Sequence, residues 1–178
     1  MKRYPSGTYG RQRLEFHPAP FRAPLRAFAG LVFAWRGDQV LVCDIDGRGW
    51  CIPSGRVEPN ESSLEAVRRE ALEEGGALLE CIQYIGCYRI TEKREVRWAD
   101  CYAARVHDLV EITMREESKD RKLVHVAELP AIYHLWNPLT EMLFELSYEV
   151  VCRSSVGESK DPLSELKRTS PTVGDIDC

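Results

Sequence analysis

The order of apolar segments along the chain predicts a single α/β domain. About six strand-like segments and two helical ones follow one another in mixed order, which is typical of a sheet covered by helices. The chain has 178 residues, enough for one domain with a sizeable core and short for two. Composition agrees, since 44% of residues are apolar and 29% are charged, as in ordinary globular proteins.

The first part of this domain is predicted to be a strand pair. Residues 27–34 have the pattern of a buried strand, and residues 39–43 form the next strand. The turn residues at 36–38 between them indicate a hairpin. A short apolar segment at 50–52 then leads into a loop at 53–55.

The first helix is predicted over residues 61–74. Ser62 and Glu65 are three residues apart and fit a capping box, and a pair of glycines at 75–76 suits the end of a helix. Apolar residues recur at helical spacing, so we expect one stripe to face the core. The residues of this stripe are Leu64, Val67 and Ala71.

Two longer strands are predicted after this helix. They cover residues 79–91 and 95–107, with a turn at 93–94. Three shorter elements are expected next: a strand at 109–113, a charged loop at 114–122 and an edge strand at 123–126.

A second helix is predicted to close the domain. Asn137 is a good N-cap and Pro138 suits the first helical position. Apolar residues then recur at helical spacing up to about Val151, which predicts an amphipathic helix.

These elements place the domain at residues 27–151. Before it, residues 1–26 form a basic arm with four prolines, expected to be extended or loop-like. The arm is either a solvated segment or one that holds a polyanionic substrate or shapes a dimer contact. After it, residues 152–178 form a polar tail that we expect to be disordered.

Charge and cysteine content exclude several classes of protein. The net charge of −4 gives the whole chain no electrostatic preference for nucleic acid or for anionic membranes. No apolar run approaches the length of a membrane span, and the first residues lack the apolar stretch of a signal peptide, so we expect a cytoplasmic protein. The seven cysteines show no CxxC spacing, which predicts reduced side chains rather than a zinc site.

Three glutamates lie close together on the first predicted helix. Glu70, Glu73 and Glu74 are spaced i, i+3, i+4 and therefore share one face. Each like-charge pair costs about 0.3 kcal/mol, and the macrodipole disfavours anions near the helix C-terminus. A hard divalent cation would remove both penalties, because Mg²⁺ takes oxygen ligands. The helix alone leaves a solvated acidic face as the alternative.

A longer spacing pattern surrounds this acidic face. Gly55 is followed by five residues and Glu61, and then by seven residues and the run at 69–77. This arrangement resembles the Nudix box, G-x5-E-x7-R-E-U-x-E-E-x-G-U, in which U is a bulky aliphatic residue. All the fixed glycine and polar positions match, and a chance match at a given start has a probability of about 10⁻⁸. Ala71 and Ala77 are smaller than the usual U residues, which concerns packing rather than chemistry.

The resemblance implies a fold and a reaction class. The fold would be a single-domain Nudix-type α/β/α sandwich, in which a mixed, curved sheet with antiparallel and parallel strands lies between helices. The activity would be that of a MutT-like hydrolase acting on acid anhydrides in phosphorus-containing compounds, with Mg²⁺ or Mn²⁺ as cofactor.

The resemblance also implies roles for residues of the box. The carbonyl of Gly55 and the carboxylates of Glu70, Glu73 and Glu74 would bind the metal. Arg69 would orient a catalytic carboxylate, which makes Arg69, Glu70 and Glu74 the candidate catalytic residues. A further residue, Glu61, would tie the loop to the helix.

The identity of the general base is left open by the sequence. Glu70 is the first choice. In some Nudix relatives the base comes from a later loop, and Glu116 or Glu117 in the charged loop could supply it here. A solvated loop is the simpler interpretation of those two residues.

The substrate would be recognised outside the box. Residues 92–95 lack the proline and tyrosine markers of ADP-ribose and dinucleoside polyphosphate hydrolases. We therefore expect a nucleoside triphosphate, oxidised ones included, to be cleaved to the monophosphate and pyrophosphate. Trp136 is a candidate stacking surface for the base, with Tyr88 and Trp98 as others, although each could instead serve packing.

Two alternatives belong to different functional classes. One is a nucleotide-sensing binding module of Nudix fold, although such modules often lose acidic residues of the box and none is lost here. The other is an RNA 5′-end pyrophosphohydrolase that holds the strand with its basic arm, which the low overall charge disfavours. The expected partner is therefore a small nucleotide or another diphosphate, with no membrane, and a homodimer remains open.

Overall fold

A mixed sheet forms the centre of the molecule in the structure, a computed structural model that describes residues 4–157. The strands within these residues are β1 (Ser6–Tyr9), β2 (Gln12–Pro18), β3 (Ala29–Arg36), β4 (Gln39–Ile45), β5 (Gly49–Cys51), β6 (Ser54–Arg56), β7 (Ala77–Glu92), β8 (Glu95–Leu109) and β9 (Ser118–His125). The helices are α1 (Ser63–Gly75), the short α2 (Leu129–Ile132) and α3 (Pro138–Gly157).

The main path of the sheet runs in the order β1-β2-β7-β8-β3-β4-β5, with β6 paired to β3 and β9 paired to β4. The β3–β8 pair is parallel, while the other strand pairs are antiparallel. The sheet is open, so the prediction of one α/β domain with a mixed sheet is confirmed.

The two faces of the sheet are covered by different helices. Along β3, Phe33 and Trp35 pack in the cluster that contains Phe144 of α3. Val32 and Ala34, which alternate with them, pack in the second cluster, which contains Val67 and Ala71 of α1. This period-two alternation puts α1 and α3 on opposite faces, as the α/β/α sandwich requires.

Helix α1 has the predicted capping box. The Ser62 hydroxyl accepts a hydrogen bond from the Glu65 amide at 3.2 Å, and the Glu65 carboxylate accepts one from the Ser62 amide at 2.7 Å. The prediction for Leu64 is wrong, because its side chain is 38% exposed, whereas Val67 and Ala71 are fully buried. Leu64 lies on the same side of α1 as Ala71 but in the first turn of the helix, where it is exposed. Glu70 and Glu74 are buried together with Val67 and Ala71.

Residues 6–18 of the basic arm, predicted to be extended or loop-like, form a β-hairpin that is part of the sheet. Strands β1 and β2 pair with each other, and β2 pairs with β7 from Arg13↔Thr91 to Pro18↔Gly86. Leu14 and Phe16 alternate into the core, which supplies the free energy that holds the hairpin on the sheet. The prolines did not prevent this pairing because they lie outside the strands or at their ends.

The segment between β8 and α2 also differs from the prediction. Residues 110–113 are not a strand, and the segment predicted as a loop at 114–122 contains the first part of β9. Strand β9 completes the free edge of β4 through backbone hydrogen bonds, which charged side chains on the solvent side do not disturb. The predicted loop at 53–55 likewise includes most of β6.

Helix α3 begins as predicted and ends later. The Asn137 side-chain oxygen accepts hydrogen bonds from the amides of Leu139 at 2.9 Å and Thr140 at 3.0 Å. The helix continues beyond Val151 to Gly157, so the start of the predicted tail is helical. The rest of that tail, residues 158–178, lies outside the described residues.

Among the described cysteines, Cys43, Cys51, Cys87 and Cys101 are buried, Cys81 is half-buried and Cys152 is exposed. Along residues 4–157, no helix has both the length and the apolar content to cross a membrane.

Gly76 ends α1 in the left-handed conformation, with φ of 57°. A Cβ at this position would also overlap the carbonyl oxygen of Val110. We therefore expect Gly76→Ala to lower the free energy of unfolding by about 2–3 kcal/mol, since backbone strain and a steric clash combine. Urea titration followed by circular dichroism measures this change.

Gly37 offers a matched control for Gly76. It has a similar φ of 64°, but a Cβ there meets no atom within 4 Å. Gly37→Ala should lower the free energy of unfolding by only about 1 kcal/mol, the cost of the left-handed backbone. Equal losses in the two variants would show that the contact with Val110 is unimportant.

Candidate active site

Arg69 is the centre of the polar network on the solvent side of α1. Its guanidinium contacts Glu61 through two nitrogens, at 2.9 and 3.2 Å. It also donates to Glu70 at 2.8 Å, to Glu73 at 3.0 Å and to the carbonyl of Arg56 at 3.0 Å. One cation therefore ties the helix to the strand and loop that precede it.

Glu61 connects this network to the loop before α1. Its carboxylate accepts a hydrogen bond from the Glu58 amide at 2.9 Å. The bond from Arg69, and to a lesser degree the Glu58 amide, hold the pKa of Glu61 below its ordinary value. Glu61 is therefore an anion that fixes the position of the loop relative to the helix.

Glu70 lies against the backbone of β6. A Cβ on Gly55 would overlap the Glu70 carboxylate, so only glycine permits this approach. Burial raises the pKa of Glu70, Arg69 opposes this effect, and repulsion from Glu73 and Glu117 adds to it. The result is a carboxylate in contact with the Gly55 backbone that is costly to keep ionised.

Glu74 is the most deeply placed of the three helix glutamates, with 2% of its surface exposed. Its carboxylate accepts a hydrogen bond from the Ser54 amide at 2.9 Å. Burial is the main cause that raises its pKa to about 7, with a further contribution from Glu70. A single amide hydrogen bond offsets only a small part of the free-energy cost of burying this carboxylate in its charged form.

The first residues of β9 close the C-terminal end of α1. The buried Ser118 hydroxyl donates to the Glu74 carbonyl at 2.6 Å, and Arg121 donates to the Gly75 carbonyl at 2.7 Å. These bonds bring Glu117 near the helix, where its charge raises the pKa values of Glu70 and Glu74. Both loop carboxylates singled out from the sequence are exposed residues of the same turn, but Glu117 is the one whose charge acts on Glu70 and Glu74.

In the part of the chain that the structure describes, no three His, Cys, Asp or Glu side chains converge into a closed metal-binding cluster. Glu70 and Glu73 are both bonded to Arg69, while Glu74 accepts from Ser54. The carboxylates thus share one end of α1, with Glu70 and Glu73 held by one guanidinium and Glu74 by a backbone amide.

A cleft of about 280 Å³ opens beside Gly55. Its floor is apolar and comes mainly from β2, β3, β7 and the segment after β5. The apolar lining residues include Leu14, Phe28, Leu31, Phe33, Ile52, Tyr88 and Ile90. Because Ser54, Gly55 and Arg56 line the same cleft, its interior is continuous with the backbone that contacts Glu70.

Arg48 lies where the cleft meets the acidic residues. It lines the cleft and donates to the Ser54 hydroxyl at 3.2 Å. Its charge also partly offsets the rise in the pKa of Glu74. An exposed guanidinium at this boundary is suited to binding an anionic group of a ligand that occupies the cleft.

The far wall of the cleft contains His134 and Tyr133. The His134 ring is placed by its Nδ1, 3.2 Å from the Trp50 carbonyl, and burial lowers its pKa. Tyr9 packs edge-on against this ring at a centroid distance of 5.6 Å. None of these residues, nor Arg48, was singled out from the sequence, because nothing in their local pattern marks them.

The aromatic candidates from the sequence occupy different places. Tyr88 lines the cleft. The Trp136 ring stacks on Phe144 at 5.8 Å and borders a separate surface depression rather than the cleft. Trp98 is buried and packs against His17 at a ring-centroid distance of 5.5 Å.

The fold and the acidic helix define a protein of the NUDIX class. The family model described as NUDIX domain matches residues 23–146, which is well over half of the chain. The chain therefore belongs to the NUDIX family, and the resemblance found in the sequence is confirmed.

A curated relative and two solved structures are similar to this chain. The "Putative 8-oxo-dGTP diphosphatase YtkD" of Bacillus subtilis is 35% identical over 94 residues, 53% of this chain and 58% of that protein. The match thus spans less than two thirds of the relative's length.

The structural neighbours show the same fold at low sequence identity. A mutant of the Bacillus subtilis pyrophosphohydrolase BsRppH has a TM-score of 0.63 and 22% identity, covering 80% of this chain and 92% of that one. The NUDIX domain of Shewanella oneidensis NrtR, solved with ADP ribose, has a TM-score of 0.55 and 19% identity, covering 76% and 93%.

Proposed function

We propose that this protein is a metal-dependent hydrolase that cleaves a nucleoside triphosphate to the monophosphate and pyrophosphate. One observation carries the proposal: the buried carboxylates of Glu70 and Glu74 contact the backbone of Gly55 and Ser54, two residues that line an apolar cleft together with Arg48. The cleft is suited to an apolar planar group, and its rim to a phosphate chain with its counter-ions.

The chemistry of the donors fits a hard divalent cation such as Mg²⁺ or Mn²⁺. The side chains are carboxylates, and the Gly55 carbonyl would add a neutral oxygen. Burial raises the pKa values of Glu70 and Glu74 in the protein alone. A cation among these oxygens would offset that cost, which is the reason we assign Gly55, Glu70, Glu73 and Glu74 to hold it.

When bound, such a cation neutralises phosphate oxygens and lowers the pKa of an attacking water. Glu70 is the first candidate to accept the proton of that water, because it lies at the Gly55 backbone beside the cleft. Arg69 is assigned a positioning role, since its bond at 2.8 Å fixes the Glu70 carboxylate. Arg48 is assigned to the phosphate chain.

Glu117 is the alternative general base. Its charge acts on both Glu70 and Glu74, which supports a position on the same side of α1. This observation favours Glu117 over Glu116. A Glu117→Gln variant that loses only a few-fold in kcat would leave the role with Glu70.

The substrate assignment draws on the relative's name and on the cleft. YtkD is named for 8-oxo-dGTP, so a guanine triphosphate, oxidised or not, is the proposed substrate. Two arginines of the N-terminal segment already have partners within the protein, which weakens the case for RNA binding: Arg13 pairs with Glu15 at 3.1 Å, and Arg26 bonds to two backbone carbonyls near α1.

A nucleotide panel tests the proposed function. The protein is incubated with 8-oxo-dGTP, dGTP, dATP, dCTP and ADP-ribose, with Mg²⁺, Mn²⁺ or chelator, and the products are separated by ion-exchange chromatography. We expect monophosphate and pyrophosphate from a purine triphosphate, only when a divalent cation is present. Tight nucleotide binding with no product in any mixture would replace the proposal with the binding-module alternative.

A further inference from the structure

We propose that the β1–β2 hairpin forms a wall of the cleft and that Tyr9 and Gln12 on it select a guanine-type base. The inference rests on the proposed function for its reaction but not for its binding site. Both residues line the cleft, yet both precede the segment at 23–146 that matches the family model.

The tip of the hairpin is built to reach the cleft. Tyr9 and Gln12 are register partners on either side of a two-residue turn, in which Gly10 has φ of 56°. Because they are paired across the hairpin, their side chains lie next to each other on one face, and both line the cleft. The turn carries two cleft residues on one short, tightly closed loop.

The hairpin is also fixed in position. A Cβ on Gly7 would come within 3.3 Å of Asn137 and Leu139, so β1 packs closely on the start of α3. The rings of Tyr4 and Phe16 make an edge contact at 5.3 Å. Because the hairpin is held by the sheet on one side and by a helix on the other, little conformational entropy would be lost at its tip when a ligand binds.

Tyr9 has the properties of an aromatic contact for a ligand. Its side chain is 41% exposed although its ring packs edge-on against His134. The two rings meet at an interplanar angle of 82°, at the edge of an otherwise apolar cleft. A planar base in the cleft would cover the exposed part of the Tyr9 ring, and base–aromatic contacts of this kind are favourable for any base.

Gln12 has the properties of a residue that distinguishes bases. Its side-chain nitrogen donates to Glu92 at 3.0 Å, and Glu92 also faces Arg97 at 3.5 Å. This chain of contacts orients the amide, so its oxygen becomes the acceptor available to a ligand in the cleft. Guanine offers adjacent N–H and amino donors to such an acceptor, whereas adenine places a ring acceptor beside its amino group.

The experiment separates the two residues by their effects on two purines. Binding of GMP and AMP is measured by calorimetry without divalent cations, and hydrolysis of dGTP and dATP is measured with them. Gln12→Leu should weaken GMP binding about tenfold with little effect on AMP. Tyr9→Ala should weaken both about tenfold, and Tyr9→Phe should restore both because the ring is kept.

Arg11→Ala is the matched control, because Arg11 is an exposed residue of the same turn that does not line the cleft. It should leave both affinities unchanged, and thermal melts identify any variant that fails to fold. If dGTP is hydrolysed but Gln12→Leu keeps the preference for guanine, the hairpin inference is overturned and the proposed function stands.

The opposite result is equally decisive. If GMP binds and Gln12→Leu weakens it, while no triphosphate is cleaved, the inference stands and the proposed function fails. If neither GMP nor AMP binds and no triphosphate is cleaved, both are overturned. Hydrolysis in which Tyr9→Ala has no effect on KM would remove Tyr9 from the site.

Discussion

Replacing Glu74 with Gln is expected to abolish turnover and to make the metal-free protein more stable. The variant keeps an oxygen that can accept the Ser54 amide hydrogen bond, which measures 2.9 Å in the native protein. It loses the negative charge that we assign to the cation, so kcat should fall by about a thousandfold. Steady-state release of pyrophosphate at saturating Mg²⁺ measures the loss.

The gain in stability has a defined dependence on pH. Burial raises the pKa of Glu74 from 4.5 to about 7. Below the lower value the carboxyl is protonated in both states and costs nothing. Between the two values only the unfolded state ionises, so folding is progressively disfavoured as pH rises, and above the higher value the penalty is complete.

The free energies of unfolding of the variant and the native protein should therefore diverge with pH. Measured by urea titration with chelator, they should agree near pH 4.5 and differ most near pH 8, by at most about 3 kcal/mol. Glu145→Gln is the control, because Glu145 is an exposed carboxylate on α3. If the native protein is as stable as the Gln variant at pH 8, the buried charge of Glu74 does not destabilise the fold.

The parts of this protein that could be predicted from sequence are those formed by neighbours in the chain. Ser62 and Glu65 meet because they are three residues apart on a helix, and their capping box is present. The acidic residues of α1 share one end of the helix for the same reason. Fixed spacing on one helix turns sequence directly into geometry.

The remaining parts depend on contacts between distant segments. Tyr9 contacts His134 only because β1 packs on the start of α3. No local sequence pattern in either segment predicts that contact. The same holds for β9, which pairs with β4 in spite of its charged residues. Backbone pairing at a free sheet edge overrode side-chain composition there.

Leu64 illustrates a third kind of failure, in which the spacing is right but the residue lies at the end of its helix. Leu64 and Ala71 are seven residues apart and share one side of α1, yet Ala71 is buried while Leu64, in the first turn, is exposed. The helix also buries Glu70 and Glu74. A periodicity argument assumes that carboxylates face solvent, and this assumption fails for these two.

Arg69→Ala should have the second largest effect, and it should reduce both stability and activity. Arg69 donates to three carboxylates and one carbonyl. Its loss would leave Glu70 and Glu73 to repel each other without a counter-charge. We expect the free energy of unfolding to fall by about 2 kcal/mol, a value discounted for partial exposure. We also expect kcat to fall about a hundredfold, because the Glu70 carboxylate is no longer oriented.

Arg68 next to it separates this local role from a general effect of charge. Its side chain is exposed and makes one bond of 3.3 Å to the Leu79 carbonyl. Arg68→Ala changes the net charge of α1 by the same amount, yet should alter stability by less than about 0.5 kcal/mol and kcat hardly at all. Parallel urea titrations and kinetics of the two variants make the comparison. Because adjacent residues of one helix point in different directions, equal effects would mean that total charge, rather than the bonds of Arg69, holds the acidic site together.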